Sequence, residues 1–438
     1  MSSGMNKVAF ASFIGTAIEF YDFYIYGTAA ALIFPHVFFP NLSPTMATIS
    51  SLATFAVAFL SRPVGAAVFG HFGDRLGRKK TLVATLLIMG LSTVGVGLVP
   101  SAASIGIAAP VILLTLRLLQ GFAVGGEWAG SALLSAEYAP VEKRGTYGMF
   151  TQLGAGAGLA VSNLVVWIAN VTIGEKSAVF LDWGWRLPFL FSALLLVVAL
   201  YVRLSIDETP VFVDEQRRGV VPRAPFTELF REQTKQVVLG AGCMVGIFTM
   251  SFLGGTYLMS YANTHVHHPR SLILGVGVLA GVTLMAFTAI SAVLCDRYGR
   301  RRVILIGFGL ALPWAFLVMP LIDSRSALGF AAAIAGIFAI FGLAYGPIGA
   351  FLPEIFATRY RYTGAGMAFN LAGIFGGAIP PLVAGPLVGA LGSWAIGLMI
   401  AAFVLVSIVS TLLLPETRGA ALTDDTKACD DGNTVPAC

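Results

Sequence analysis

The chain has 438 residues, 57% hydrophobic and only 11% charged, where a soluble domain is about a quarter charged. Its formal charge of +5 sits in short loops beside apolar runs, which excludes a nucleic-acid-binding surface. Alternation over ~10-residue strands is absent, which excludes an outer-membrane barrel.

Long stretches carry no Asp, Glu, Lys or Arg at all: 81–116, 146–174, 326–353 and 362–415. About 20 apolar residues cross a bilayer, so the last of these holds two spans. Taken in order, twelve helical spans are expected near 8–34, 46–70, 81–99, 109–133, 145–168, 186–204, 236–261, 271–294, 302–322, 326–351, 362–389 and 393–414. The first run is too long, carries acids and lacks a basic leader, so it reads as a span and not as a cleavable signal. Residues 205–235 form the one long internal loop, polar and broken by Pro210, Pro222 and Pro225. They divide an N-terminal bundle (1–204) from a C-terminal bundle (236–418). A short amphipathic piece, Phe226–Phe230, is a candidate for the membrane surface, and 419–438 reads as a disordered tail. With the N-terminus inside, the outer loops keep only Lys176, Arg186, Arg270 and Arg325, while the inner loops carry the other loop Lys and Arg residues. The positive-inside rule therefore places both termini in the cytoplasm. Four cysteines, two of them in the tail, do not suggest a disulfide framework.

The halves repeat. Gly70-His71-Phe72-Gly73-Asp74-Arg75-Leu76-Gly77-Arg78-Lys79-Lys80 returns as Cys295-Asp296-Arg297-Tyr298-Gly299-Arg300-Arg301-Arg302, about half a chain later. Glu137–Met149 matches Glu354–Met367 in layout, and Asp207-Glu208-Thr209-Pro210 is echoed by Pro415-Glu416-Thr417-Arg418. Anchors in one order point to a duplicated membrane architecture.

On these residues the chain resembles the major facilitator superfamily, over nearly its whole length except the tail. The most specific mark is Gly70, Asp74, Arg75, Gly77, Arg78 and Lys79 in the superfamily's loop pattern; the second copy departs from it, with Cys295 in place of the first glycine. Within the superfamily the chain is similar to metabolite:proton symporters, through Gly15–Gly27, Arg117–Gly130, Trp183–Phe189 and Tyr360–Gly366. It is most like shikimate permeases, with α-ketoglutarate, dicarboxylate and proline/betaine permeases close behind. The resemblance implies an all-α fold of two pseudo-symmetric six-helix bundles around a central cavity, working by alternating access.

Glu19 and Asp22 lie in the middle of the first span and, three residues apart, share a helix face. A carboxylate at that depth costs about 2.5–3.5 kcal/mol or more unless paired or neutralised. Both are candidate proton-coupling groups, the alternative being a structural carboxyl bonded to a neighbouring helix. At 1.5 Å per residue Asp22 lies roughly 21 Å from one face and Arg117 roughly 12 Å from the other. In a ~30 Å core these are similar depths. An Arg117–Asp22 contact is therefore expected, or an Arg117–substrate carboxylate contact once Asp22 is protonated, because a guanidinium binds carboxylate with two parallel bonds. A purely structural salt bridge between spans one and four is the alternative. Tyr24, Gln152, Tyr257 and Asn370 are candidate substrate contacts, each equally readable as core. Arg62 reads as a structural arginine snorkelling to the cytoplasmic interface. Asp74, Arg75 and Arg78, with Asp296, Arg297 and Arg300, read as gate parts: Asp74 should face the start of span eleven and Asp296 the start of span five, each a positive helix end. Glu127, nearer the inner face, is grouped with them. Gly121/Gly125, Gly126/Gly130 and Gly154/Gly158 have the spacing of close helix contact. His265, His267 and His268 fall in an external loop and read as solvated.

HExxH and GxSxG do not occur, and Gly73–Thr81 lacks the ending of a phosphate-binding loop. The expectation is therefore a transporter and not an enzyme: proton-coupled uptake of a small organic acid such as shikimate or α-ketoglutarate, driven by the proton gradient without a cofactor. Its expected setting is a plasma (inner) membrane, as a monomer in lipid with no nucleic-acid partner. A betaine or proline symporter and an efflux pump share the fold, and a non-transporting receptor or membrane enzyme is the reading from another class.

Overall fold

The computed structural model describes residues 3–76, 78–174, 177–204, 225–357 and 360–419. Twelve long helices run through them: α1 (Ser3–Leu32), α2 (Pro44–Leu76), α3 (Arg78–Leu98), α4 (Ala108–Val124, resuming as Glu127–Tyr138), α5 (Arg144–Ile173) and α6 (Leu187–Leu204). The second half repeats the count with α7 (Thr234–Phe252, continuing to Thr264), α8 (Arg270–Tyr298), α9 (Arg300–Asp323), α10 (Ala327–Tyr345, resuming as Ile348–Glu354), α11 (Arg361–Ala372, continuing to Leu391) and α12 (Trp394–Leu413). Eleven of the twelve are long and apolar enough to cross a membrane. α1 is as long, at 30 residues, but Glu19, Asp22 and its tyrosines make it less apolar.

The helices outrun the charge-free stretches. α2 extends to Leu76 and α5 begins at Arg144, because basic residues at a helix end reach the headgroups without ending the helix. α4 breaks at Gly125-Gly126 and α10 at Gly346-Pro347, corresponding places in the two halves. Two helices carry a π turn, Leu253–Tyr257 in α7 and Gly373–Ala378 in α11. Such turns insert one residue and loosen the helix. The long loop holds a described helix, Pro225–Glu232. Its Leu229 is buried, and Tyr360 donates to Glu228 and Glu232 at 3.3 and 2.9 Å. This helix is therefore docked at the start of α11 through both acids.

Glycine sets the helix spacing. A Cβ at Gly65 would lie 1.8 Å from the Phe122 carbonyl oxygen, at Gly121 2.1 Å from that of Ala58, and at Gly125 2.0 Å from that of Arg62. α2 and α4 thus touch backbone to backbone. Gly154 and Gly158 do the same for α5 against α1, where a Cβ would meet Ala17 N at 2.7 Å and Tyr21 N at 2.6 Å. Across the bundles, Gly156 of α5 and Gly281 of α8 face each other's carbonyl oxygens at 2.8 and 2.6 Å from an added Cβ.

This packing makes a stability prediction. Gly121→Val must push α2 from α4 and should cost about 3 kcal/mol, the upper end for overpacking. Gly385→Val, where a Cβ meets nothing within 4 Å, should leave melting unchanged. Thermal unfolding in detergent, followed by size exclusion, reads both; equal melting of the two variants would refute the α2–α4 contact.

Candidate functional site

α1 carries Glu19 and Asp22 toward α4, which supplies Arg117 and Glu127, while α2 adds Arg62 and α6 adds Arg203. None of the six side-chain-bearing residues is more than 4% exposed. Three carboxyls and three guanidiniums therefore share the interior of the N-terminal bundle. Desolvating so many charges is costly unless they answer one another.

Asp22 is held by two hydroxyls: Ser192 donates to Oδ1 at 2.6 Å and Thr93 to Oδ2 at 2.8 Å. The Thr93 oxygen accepts from Gln120 Nε2 at 2.6 Å, and Gln120 Oε1 accepts from Arg117 Nη1 at 2.9 Å. The direct Arg117–Asp22 contact expected from their depths is thus replaced by a relay through Gln120 and Thr93. These two residues fill the gap because each can donate on one side and accept on the other. Thr93 has one proton and a second acceptor in reach, the Met89 carbonyl at 3.0 Å.

Arg117 rests on aromatic faces. Its guanidinium carbon is 4.0 Å from the Tyr26 ring centre, 4.6 Å from Phe23 and 5.2 Å from Phe55. Its Nε and Nη2 make no hydrogen bond. Arg62 shares Phe23 at 4.6 Å and lies 4.6 Å from Phe59. The expectation that Arg62 snorkels to the interface is corrected: at 4% exposure it is a second deep guanidinium, held by ring faces that the sequence does not place beside it. Glu19 keeps Oε2 unbonded. Glu19, Asp22, Arg62, Arg117 and Gln120 line a cavity of about 10 Å³, room for roughly one water molecule.

Glu127 joins the N-terminal charge cluster. It pairs with Arg203 at 3.3 Å inside the N-terminal bundle, and Arg203 also donates to Ser131 at 3.2 Å. Sequence reasoning counted Arg203 only as an inner-loop charge. The available signal was its place within the last turn of an apolar helix.

The other candidates bridge the bundles. Tyr24 and Ser251 share a hydrogen bond of 2.9 Å. Gln152 donates to the Tyr345 carbonyl at 3.2 Å and accepts from Trp128 at 3.2 Å. Asn370 donates to the Gly125 carbonyl at 2.9 Å, and Tyr362 to that of Gly126 at 2.6 Å. Trp128 stacks on Phe369, centroids 4.1 Å apart. Tyr257 lies apart from these, beside a larger cleft toward the opposite end of α7.

At the face carrying the described chain ends, Asp296 accepts from the backbone N–H of Gly145 at 2.9 Å and of Thr146 at 2.8 Å, and from the Thr146 hydroxyl at 2.7 Å. A carboxylate there satisfies the free N–H groups and positive dipole end of α5. Arg300 joins Asp296 to Glu354, at 3.3 Å each, and Arg144 reaches Glu354 across the bundles at 3.8 Å. Glu354 and Arg144 are partners that the sequence reading did not single out. Glu416 accepts from the Arg300 and Arg301 N–H groups at 2.8 and 3.1 Å, capping α9. Arg297 points outward, over Tyr298 at 5.5 Å, and takes no part in this lock. The side chains of Asp74, Arg75 and Arg78 lie outside the described residues. His265 stacks on Tyr261 at 4.5 Å, and no metal-like cluster of His, Cys, Asp or Glu occurs among the described residues.

Comparison with known proteins agrees with this architecture. The profile of the Major Facilitator Superfamily matches residues 12–381. The chain is 44% identical to the inner membrane metabolite transport protein YhjE of Escherichia coli, over 95% of this chain and 96% of that one. It is 38% identical to the shikimate transporter of Escherichia coli, with 95% and 96% covered. It is 33% identical to a proline/betaine transporter of the same species, covering 98% and 87%. Its fold resembles that of a proton:xylose symporter, with a TM-score of 0.72 at 20% identity over 96% and 98% of the two chains. Profile, relatives and twelve-helix fold converge: the chain is a transporter and not an enzyme, and it belongs to the major facilitator superfamily, in its metabolite:proton symporter family.

Proposed function

We propose that the protein takes up a small organic carboxylate together with a proton, across an inner membrane, with both chain ends in the cytoplasm. The observation that carries this is the unbonded Nε and Nη2 of Arg117, one relay away from Asp22. With Glu19, Asp22 and Glu127 ionised, the three carboxylates balance Arg62, Arg117 and Arg203. A proton on Asp22 leaves one positive charge in excess. Thr93 can then turn its proton to Met89 O, loosening the relay that reaches Arg117 through Gln120. A substrate carboxylate on Arg117 restores neutrality. Proton and anion thus favour the same state, and by linkage each raises the other's affinity. No cofactor is needed; the proton gradient supplies the drive.

The inner-membrane and orientation readings rest on the basic loops and on the inner-membrane description of the 44%-identical relative. In that orientation the Asp296, Arg144 and Glu354 lock closes the cytoplasmic side. The one-water cavity at the charge cluster means that the substrate-bound state requires movement of these helices.

A betaine or proline symporter is the second reading, favoured by the 33%-identical relative of that description. A quaternary ammonium needs open aromatic faces. Those of Phe23, Phe59 and Tyr26 already hold Arg62 or Arg117, so the acid fits this site better.

In proteoliposomes under an imposed pH gradient, a labelled carboxylate chosen by thermal-shift screening, shikimate first, should accumulate, and its neutral amide should not. Asp22→Asn should abolish accumulation while sparing exchange of substrate for substrate. Full gradient-driven accumulation by this variant would remove Asp22 from coupling.

Arg117→Lys keeps the charge but loses the planar fork. It should raise the KM for the acid roughly 10- to 100-fold, the worth of one charge-assisted hydrogen bond. An unchanged KM would return Arg117 to a structural role.

Asp296→Asn should loosen the cytoplasmic lock. A cysteine placed at Ala350, buried behind that lock, should then react faster with a thiol reagent added from the inside. Unchanged labelling and rate would leave Asp296 a helix cap without gating weight.

A further inference from the structure

A space much larger than the one at the charge cluster lies elsewhere. A cleft of about 570 Å³ lies between the first turns of α2 and the last turns of α7 and α11, within the usual range of about 300–1,000 Å³ for small-molecule sites. It opens at the end of the molecule opposite the Asp296 lock. Thr45 and Thr48 line it from α2, and Tyr257, Ser260, Thr264 and His265 from α7. Gly385 and its proline neighbours form the α11 wall. No Asp, Glu, Lys or Arg lines it. The Tyr257 ring is buried, at 6% exposure, yet its hydroxyl makes no hydrogen bond to a described residue. Thr48 donates to its own helix at 3.0 Å, which leaves its oxygen free to accept, while Thr264 donates to the Ser260 carbonyl at 2.9 Å and shares a 2.8 Å hydrogen bond with His265 Nδ1.

Both C-terminal walls begin where a π turn ends, at Tyr257 in α7 and at Ala378 in α11. The cleft is therefore built from the outer arms of two loosened helices against the first turns of α2.

We propose that this cleft is a second binding site, distinct from the Arg117 cluster, which takes a small uncharged cyclic polyol or the hydroxylated face of a hydroxy acid. Tyr261 also lines the cleft, with its hydroxyl taken by Asp323 at 2.9 Å, and the other lining hydroxyls, without a charged partner, read hydroxyl groups and ignore ionic state. The cleft then selects by hydroxylation and shape, and the charge cluster by carboxylate. A solute arriving from this end meets the cleft first. The site stands on its own geometry and does not depend on carboxylate transport.

The test uses the full chain in nanodiscs, with myo-inositol as probe and saturation-transfer NMR as readout. Inositol should receive saturation from the parent and equally from Arg117→Ala. Tyr257→Phe should weaken binding about fivefold, the loss of one hydrogen bond. Gly385→Trp should abolish it, since a side chain there has open space to enter; Thr48→Val offers a milder variant with the same direction. No transfer from the parent would overturn the proposal. So would transfer that needs Arg117, or transfer that survives Gly385→Trp in protein with parental melting. Failure here alongside gradient-driven uptake of an acid would leave the transport reading intact. Binding here without uptake of any acid would defeat that reading and leave the cleft.

Discussion

Charge cannot stand alone at the depth of a bilayer, and most of this protein's interior follows from how that constraint is met. The N-terminal bundle meets it by number, three carboxyls against three guanidiniums, all buried. Only Glu127–Arg203 is a direct ion pair within that cluster. The rest is balanced through hydroxyls, an amide and ring faces. A balance made this way is easily tipped, because the Thr93 hydroxyl can turn its proton from Asp22 to the Met89 carbonyl. A direct bidentate pair would be more stable and less responsive.

The C-terminal bundle is built differently. Its buried ionic groups, Arg300, Glu354 and Arg361, lie near the lock, while its mid-depth polar groups are hydroxyls such as Ser251, Thr256 and Thr288. Both of the described π turns are there too. Duplication gave the halves the same helices and the same broken α4 and α10, but one half became electrostatic and the other pliable. The bonds joining them at mid-depth, Tyr24 with Ser251 and Gln152 with the Tyr345 carbonyl, are neutral. They can be broken without stranding a charge.

The twelve helices were legible because charge-free runs mark the bilayer core directly. Their ends were not, since Arg and Lys stems continue a helix beyond it. The duplication was legible from the loop copies, and it alone led to Asp296 at the start of α5. Three features escaped for physical reasons. Arg62 finds its partners on the rings of Phe23 and Phe59, and a ring face leaves no complementary charge in the sequence. The Gln120–Thr93 relay consists of neutral residues on separate helices. The π turns show only as glycine and proline density in α11, which equally suits a static kink, and α7 has even less to show.

The two seams between the bundles limit how the molecule can move. Along α5 and α8 the backbones meet at two levels, Gly145 against Ala292 and Gly156 against Gly281, and Gly277 packs on the Asn163 side chain. Backbones in contact can come no closer, and sliding would set each glycine against a side chain. Along α2 and α11 the contact is closest at mid-depth and gives way beyond it. A Cβ added at Gly70 would meet Tyr362 at 3.9 Å at the lock end and one at Gly377 the Phe59 ring at 2.8 Å at mid-depth, while at the far end one at Gly385 or Gly389 would meet nothing within 4 Å. The π turn of α11 sits at the middle stage, where packing gives way to open space. A close-packed interior moves only where it has room. Motion that widens or fills the cleft is therefore confined to the outer arms of α7 and α11, while the glycine seam of α5 and α8 holds the bundles in register.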